Sequence, residues 1–148
     1  MTRTPIREAS PETFQALVAL DGRVAKSLGP VLYDLIKLRA SQLNGCAFCV
    51  DKHATDLERR GVATRKIHGV GAWAESPFFA DDERVALAFT DALTGGIDAV
   101  DDALWDEAGR LLGEERRADV VVAVGAINTW NMAGITTHLR PEGTLASV

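Results

Sequence analysis

Cysteine is scarce in this chain of 148 residues: there are two, at positions 46 and 49. So few exclude a secreted framework of several disulfides, and a bridge across two intervening residues would be a poor structural staple. Basic charge is also in short supply. Sixteen Lys and Arg stand against 21 Asp and Glu, a formal net charge of −5, and no stretch interleaves cations with aromatics as a nucleic-acid groove does. No nucleic-acid partner is expected. Charged residues interrupt every apolar run short of the roughly 20 residues that span a bilayer, and Met1-Thr2-Arg3-Thr4-Pro5 is not followed by the apolar core of a signal peptide. The reading is therefore no membrane and a cytoplasmic address. Low-complexity segments, internal repeats and a glycine-rich phosphate loop are lacking as well, so no cofactor is expected.

What is present is helical pattern. With 47% apolar residues over 148 positions, the chain can bury one core, and a single domain over 1–148 is the expectation. Ser10-Pro11 reads as a cap and first helical residue of a segment ending near Gly29, and Pro30 opens a second that runs to about Gln42. In that second segment Leu32, Leu35 and Leu38 alternate with Asp34, Lys37 and Arg39. After the Asn44-Gly45 break, with Asn44 as candidate cap, a third helix runs from about Cys46 to Arg60 and stops at Gly61. Further helices are read over Thr64–Trp73, Asp82–Leu93, Asp101–Leu112 and Glu114 to about His138. In the last, Val120-Val121-Val122 could begin a strand, but Val120, Val124, Ile127 and Asn131 keep helical spacing. The fold class is all-α, a compact multi-helix bundle with Cys-x-x-Cys at a helix N-terminus.

At about 100° per residue, Cys46, Cys49 and His53 fall within a wedge of roughly 60° on that third helix. Unpaired N–H groups and the helix dipole at its start favour a thiolate, and His53, one turn after Cys49, is the leading base candidate. A thiolate attacking a hydroperoxide becomes a sulfenic acid, and a second cysteine can condense with it to a disulfide that an external dithiol reduces. Two other readings stay open. The cysteines can be small apolar seam residues with His53 an ordinary core histidine. They can also be zinc ligands, with His53 as a third and His68 or His138 completing the shell, although His138 also suits a helix C-terminus. The acidic groups Asp81-Asp82-Glu83 and Asp98, Asp101, Asp102 read as helix starts rather than a metal cluster. Trp73, Phe78, Phe79, Phe89 and Trp130 read as core or subunit-contact residues.

The segment Asp34-Leu-Ile-Lys-Leu-Arg-Ala-Ser-Gln-Leu-Asn-Gly-Cys-Ala-Phe-Cys-Val-Asp-Lys-His53 closely resembles the carboxymuconolactone decarboxylase superfamily, in its alkyl hydroperoxidase D-like branch. The resemblance continues through Glu75-Ser-Pro-Phe-Phe79, Asp82-Glu-Arg-Val-Ala-Leu87, Thr90-Asp-Ala-Leu-Thr94 and Ile127-Asn-Thr-Trp-Asn131. It implies an all-helical peroxidase that assembles as a trimer or hexamer, takes a hydroperoxide substrate and is recharged by a dithiol reductant. Carried over residue by residue, it implies Cys49 as the peroxide-attacking cysteine, Cys46 as its proton donor and disulfide partner, and His53 as a proton-relay member. Asp34 falls where the relay has a glutamate, and its shorter reach raises the expectation of a weaker relay. Lactone decarboxylases of the superfamily lack the cysteine pair, which makes decarboxylation the runner-up.

Overall fold

The structure is a computed structural model and describes residues 3–144 and Ala146. Met1 and Thr2, read above as part of the N-terminal segment, lie outside the described residues. Among the described residues, seven α-helical elements follow in order: α1 Ile6–Ala9, α2 Pro11–Leu28, α3 Pro30–Asn44, α4 Ala47–Arg59, α5 Thr64–Gly69, α6 Asp81–Gly95 and α7 Asp102–Thr136. A 3-10 turn, Val70–Ala72, extends α5. No strand occurs among the described residues, so the all-α reading holds and Val120-Val121-Val122 are helical.

Helix α3 is central, packing against α2, α4, α6 and α7. Its Leu32, Leu35, Ile36, Leu38 and Ala40 are buried on several sides at once, and so are Asp34, Lys37 and Ser41. These polar residues of α3 thus face other helices rather than solvent. One apolar cluster joins α2, α3, α6 and α7 around Phe89, Val124 and Ile36; a second gathers Leu35, Leu57, Val70 and Phe79; a third, small one holds Ala40, Cys46, Cys49 and Ile127.

Several helix boundaries differ from the sequence reading for local reasons. The short α1 was not anticipated, being a single turn with no buried residue and hence no apolar periodicity. Ser10 does cap α2 by position, but its hydroxyl bonds Thr13 Oγ1 at 2.8 Å instead of a backbone N–H. Asp101 caps α7 through the Leu104 N–H at 2.8 Å, and Glu83 reaches back to the Ala80 N–H at 2.9 Å at the start of α6. The two C-terminal helices of the sequence reading are both present within α7, on either side of a kink at Gly113, where φ 79° and ψ 168° leave the helical region. By length and composition α7 is the one span among the described residues apolar enough to cross a membrane, a departure from the reading of runs alone, although the kink at Gly113 divides it. Its packing on α2, α3 and α6 is that of a core helix.

Candidate active site

The turn between α3 and α4 sets the cysteines in place. Gly45 takes the left-handed conformation, φ 70°, that ends α3, and the Cys46 N–H then closes onto the Ser41 carbonyl at 3.1 Å. Cys46, not Asn44, is consequently the N-cap of α4, and its carbonyl receives the Val50 N–H at 2.9 Å. Asn44 is the last residue of α3, and its side-chain amide donates to Asn128 at 2.8 Å and to Asn131 at 3.0 Å. Cys49 follows in the first turn of α4 and His53 one turn later, so the two share a face as their spacing requires.

Both thiols are free and buried, with their sulfurs 2.9 Å apart in S–H···S contact. Closing by roughly 0.9 Å would bring them to disulfide distance. Around them pack Ala40 and Ile127, with Phe48 and Trp130 at the margin. Asn131 of α7 donates to Ser41 Oγ at 2.9 Å and also hydrogen-bonds the Cys49 sulfur. Burial pushes the Cys49 thiol up to about 12, the contact with Cys46 adds to this, and the Asn131 hydrogen bond and Lys37 charge oppose it. The helix start therefore does not by itself deliver the low-pKa thiolate expected from position. In this reduced, dry pair desolvation wins, and the proton must leave as the reaction proceeds.

His53 is where that proton can go. Its Nδ1 lies 3.0 Å from Asp34 Oδ1, and Arg60 Nε donates to Asp34 Oδ2 at 2.8 Å. Burial works to raise the Asp34 pKa, but the hydrogen bonds and charges of His53 and Arg60 overcome it and hold the carboxyl below its usual range. An ionised carboxylate only accepts hydrogen bonds, so His53 must carry its hydrogen on Nδ1. Burial, assisted by the Lys37 charge, lowers the His53 pKa although Asp34 pulls upward. The ring is therefore neutral near neutral pH, with Nε2 left as a basic lone pair. The shorter reach of aspartate leaves no gap here, since α3 and α4 pack closely enough for Asp34 to meet the imidazole directly.

All four residues singled out in the sequence lie on the α3–α4 pair: Cys46 and Cys49 in sulfur contact, His53 and Asp34 in hydrogen-bond contact. Arg60, Ser41, Asn131, Lys37 and Asp21 were not foreseen. A 3-4 spacing of Asp34, Lys37 and Ser41 along a helix rich in leucine was the available signal for a buried polar stripe.

The zinc arrangement of the sequence reading does not form, because the His53 ring nitrogen turns to Asp34 and His68 and His138 are exposed on other segments. Among the described residues, the one group of three such side chains with ligand atoms within 4.8 Å of one another is Asp34, His53 and Asp56. It contains no cysteine. It also fits a cation poorly, since Arg60 occupies Asp34 and Lys52 lies 2.6 Å from Asp56.

Comparison with known proteins agrees with the fold. An uncharacterized Bacillus subtilis protein, YdfG, is 31% identical over 140 residues, covering 93% of this chain and 95% of its own. The uncharacterized Escherichia coli protein YnjA is 30% identical over 106 residues, 72% of this chain and 58% of its own. Among solved structures, a protein of unknown function from Agrobacterium tumefaciens, suggested to be the antioxidant defence protein AhpD, superposes with a TM-score of 0.88 at 36% identity, covering 97% of this chain and all of that one. The debrominase Bmp8, solved with 2,3,4-tribromopyrrole as a cysteine-to-alanine variant, shares the fold with a TM-score of 0.80 at 21% identity, over 91% of this chain and 73% of its own. The model of the carboxymuconolactone decarboxylase family matches residues 11–92, which hold α2 to α5, most of α6 and all four candidate residues; the chain belongs to that family and has its AhpD-like helical fold.

Proposed function

We propose that the protein reduces hydroperoxides with the Cys46–Cys49 pair. The observation that carries this reading is the 2.9 Å sulfur contact placed one helical turn from a neutral histidine whose Nδ1 is held by Asp34. The Cys49 sulfur attacks the outer peroxide oxygen as its proton leaves toward Nε2 of His53, directly or through water; the O–O bond breaks, and the alkoxide takes up a proton to leave as alcohol. Cys49 is then a sulfenic acid. The Cys46 thiol attacks it, an S–S bond forms, and water departs. An external dithiol reduces the bridge by exchange, becoming a disulfide itself and restoring both thiols. The two electrons passed to peroxide thus come from the dithiol.

Burial of the pair suits this cycle, because a desolvated thiol reacts little with bulk solvent, and because Cys46 already stands where the sulfenic acid would form. A homo-oligomeric assembly, trimer or hexamer, belongs to the same proposal. Carboxymuconolactone-type decarboxylation uses no such thiol pair and is the weaker carry-over from the family. The test is a thiol count on the reduced protein before and after one equivalent of hydroperoxide. Loss of two thiols per chain with formation of an intramolecular bridge is expected. Two thiols remaining, with the peroxide unconsumed, would overturn the reading.

A further inference from the structure

Helix α3 carries Asp34, Lys37, Ser41 and Asn44 at spacings of three and four residues, so they lie along one face. Three of the four reach the candidate site: Asp34 binds His53, Ser41 receives the Asn131 amide, and Asn44 donates to Asn131. The fourth, Lys37, has no part in the cycle described above. It is 1% exposed, and it is the largest fully buried side chain among the described residues. Its ammonium donates to Asp21 Oδ1 of α2 and lies 4.4 Å from the centroid of the Tyr33 ring. Asp21 Oδ2 in turn accepts the Trp130 indole N–H. Trp130 packs on the cluster holding Cys46 and Cys49, and Phe14 meets its ring edge-on at 5.4 Å.

Lysine is seldom buried without a purpose that outweighs its desolvation, and an apolar residue would fill this position without any ion pair. We infer that Lys37, anchored on Asp21, is a positioning residue for the cysteine pair, an ammonium fixed in the same helix interface so that it stabilises the negative charge Cys49 bears as it reacts. The charged and titratable groups around it are Asp21 from α2, Tyr33 and Asp34 on α3, and Lys52, His53 and Cys49 on α4; α7 contributes the uncharged Trp130, through its bond to Asp21. In that company the Lys37 charge favours the thiolate form of Cys49 and the neutral form of His53, which are the forms a thiol nucleophile and its base require. Trp130 couples the carboxylate that holds the ammonium to the apolar wall of the sulfurs.

The inference rests on Cys49 being the reacting thiol, and its test reads the thiol itself rather than peroxide turnover. In a Cys46→Ser background, the rate of Cys49 alkylation by iodoacetamide is followed against pH, together with thiolate absorbance, for the parent, Lys37→Met, Lys37→Arg and Asp21→Asn/Lys37→Met. Loss of the charge in Lys37→Met is expected to raise the apparent thiol pKa and slow alkylation at pH 7 by about tenfold, the equivalent of one pKa unit. The double variant leaves no unpaired buried charge and is expected to fold and show the same slowing. Lys37→Arg keeps the charge and is expected to stay near the parent. Parent-like titration of the folded Lys37→Met or double variant would overturn the inference. Equal slowing in Lys37→Arg and Lys37→Met, or failure of the double variant to fold, would assign Lys37 to packing and overturn it too. A tenfold shift in a protein inert toward peroxide would keep the inference and reject the peroxidase instead.

Discussion

Gly134 of α7 faces Cys46 with no side chain between them: a Cβ at position 134 would stand 3.2 Å from the Cys46 sulfur. That approach is tighter than ordinary van der Waals contact, so the sulfur of Gly134→Ala must move by a few tenths of an ångström. Alanine is also the better helix former, by up to ~1 kcal/mol in a helix interior. The two effects act on different observables. Gly134→Ala is expected to melt within a few degrees of the wild type while forming the peroxide-induced disulfide several-fold more slowly, read by rapid-mixing thiol trapping. An unchanged closure rate would show that the sulfur has room to spare.

Unequal roles for the two cysteines are a second expectation. Cys46 caps α4 and Cys49 sits in its first turn with Asn131 on its sulfur. Cys46→Ser is expected to leave a Cys49 sulfenic acid that dimedone-type reagents capture and mass spectrometry locates. Cys49→Ser is expected to give little adduct. Adduct on Cys46 in the second variant, and none in the first, would exchange the assignments.

The buried imidazole predicts an acid limb of stability. Burial holds the His53 pKa below 6.5 in the folded protein, so between that value and 6.5 the unfolded chain binds the extra proton and folding weakens as pH falls. Asp34 adds its own loss further down, as its depressed pKa is crossed. Denaturant midpoints measured from pH 8 to pH 5 should therefore decline below about pH 6.5. His53→Gln should flatten that decline. A wild-type curve level down to pH 5 would contradict the burial-driven shift.

Assembly is the fourth expectation. Toward the end of α7 and just beyond it, Met132, Ile135 and Leu139 are 60%, 41% and 37% exposed, an apolar edge that a partner subunit would cover. Light scattering at micromolar concentration is expected to give three or six chain masses. A monomer mass at that concentration would remove the oligomer from the proposal.

The sequence made the helix boundaries around the site legible because glycine and proline punctuate them: Gly29-Pro30, Gly45 and Gly61 all end or begin helices where expected. The shared face of Cys49 and His53 was legible for the same reason, being a matter of helical angle within one element. Partners from other elements were not. Lys37 meets Asp21 from 16 residues away, Arg60 meets Asp34 across 26, and Asn131 meets Ser41 across 90. No local pattern encodes such pairings, since they arise only when α2, α4 and α7 close on α3. The thiol pKa was misjudged on the same account: position at a helix start is local, but desolvation is set by the packed neighbours.

Asp34 carries the most discriminating prediction. Its carboxylate bridges His53 at 3.0 Å and Arg60 at 2.8 Å while itself 1% exposed. From sequence alone, the shorter reach of aspartate in place of a relay glutamate implied a weaker relay. With the contact already made, an added methylene has to be fitted into a closed interface, and overpacking of that kind costs roughly 1–3 kcal/mol. Asp34→Glu is therefore expected to lower both melting temperature and turnover. Asp34→Asn keeps the volume and an acceptor oxygen but removes the charge that fixes the His53 tautomer. Arg60, whose side chain is 41% exposed, can turn to water, so the expected stability loss is only about 1–3 kcal/mol. Peroxide turnover should fall by about tenfold or more, as a general base loses its orientation. Because the carboxylate also raises the His53 pKa against burial, its removal should move the acidic limb of the pH–rate profile to lower pH. Steady-state peroxide consumption with a fixed dithiol, followed across pH for both variants, separates the cases. A uniform loss of rate with an unmoved profile would make Asp34 a structural anchor for Arg60, and unchanged rates in both variants would remove it from the reaction altogether.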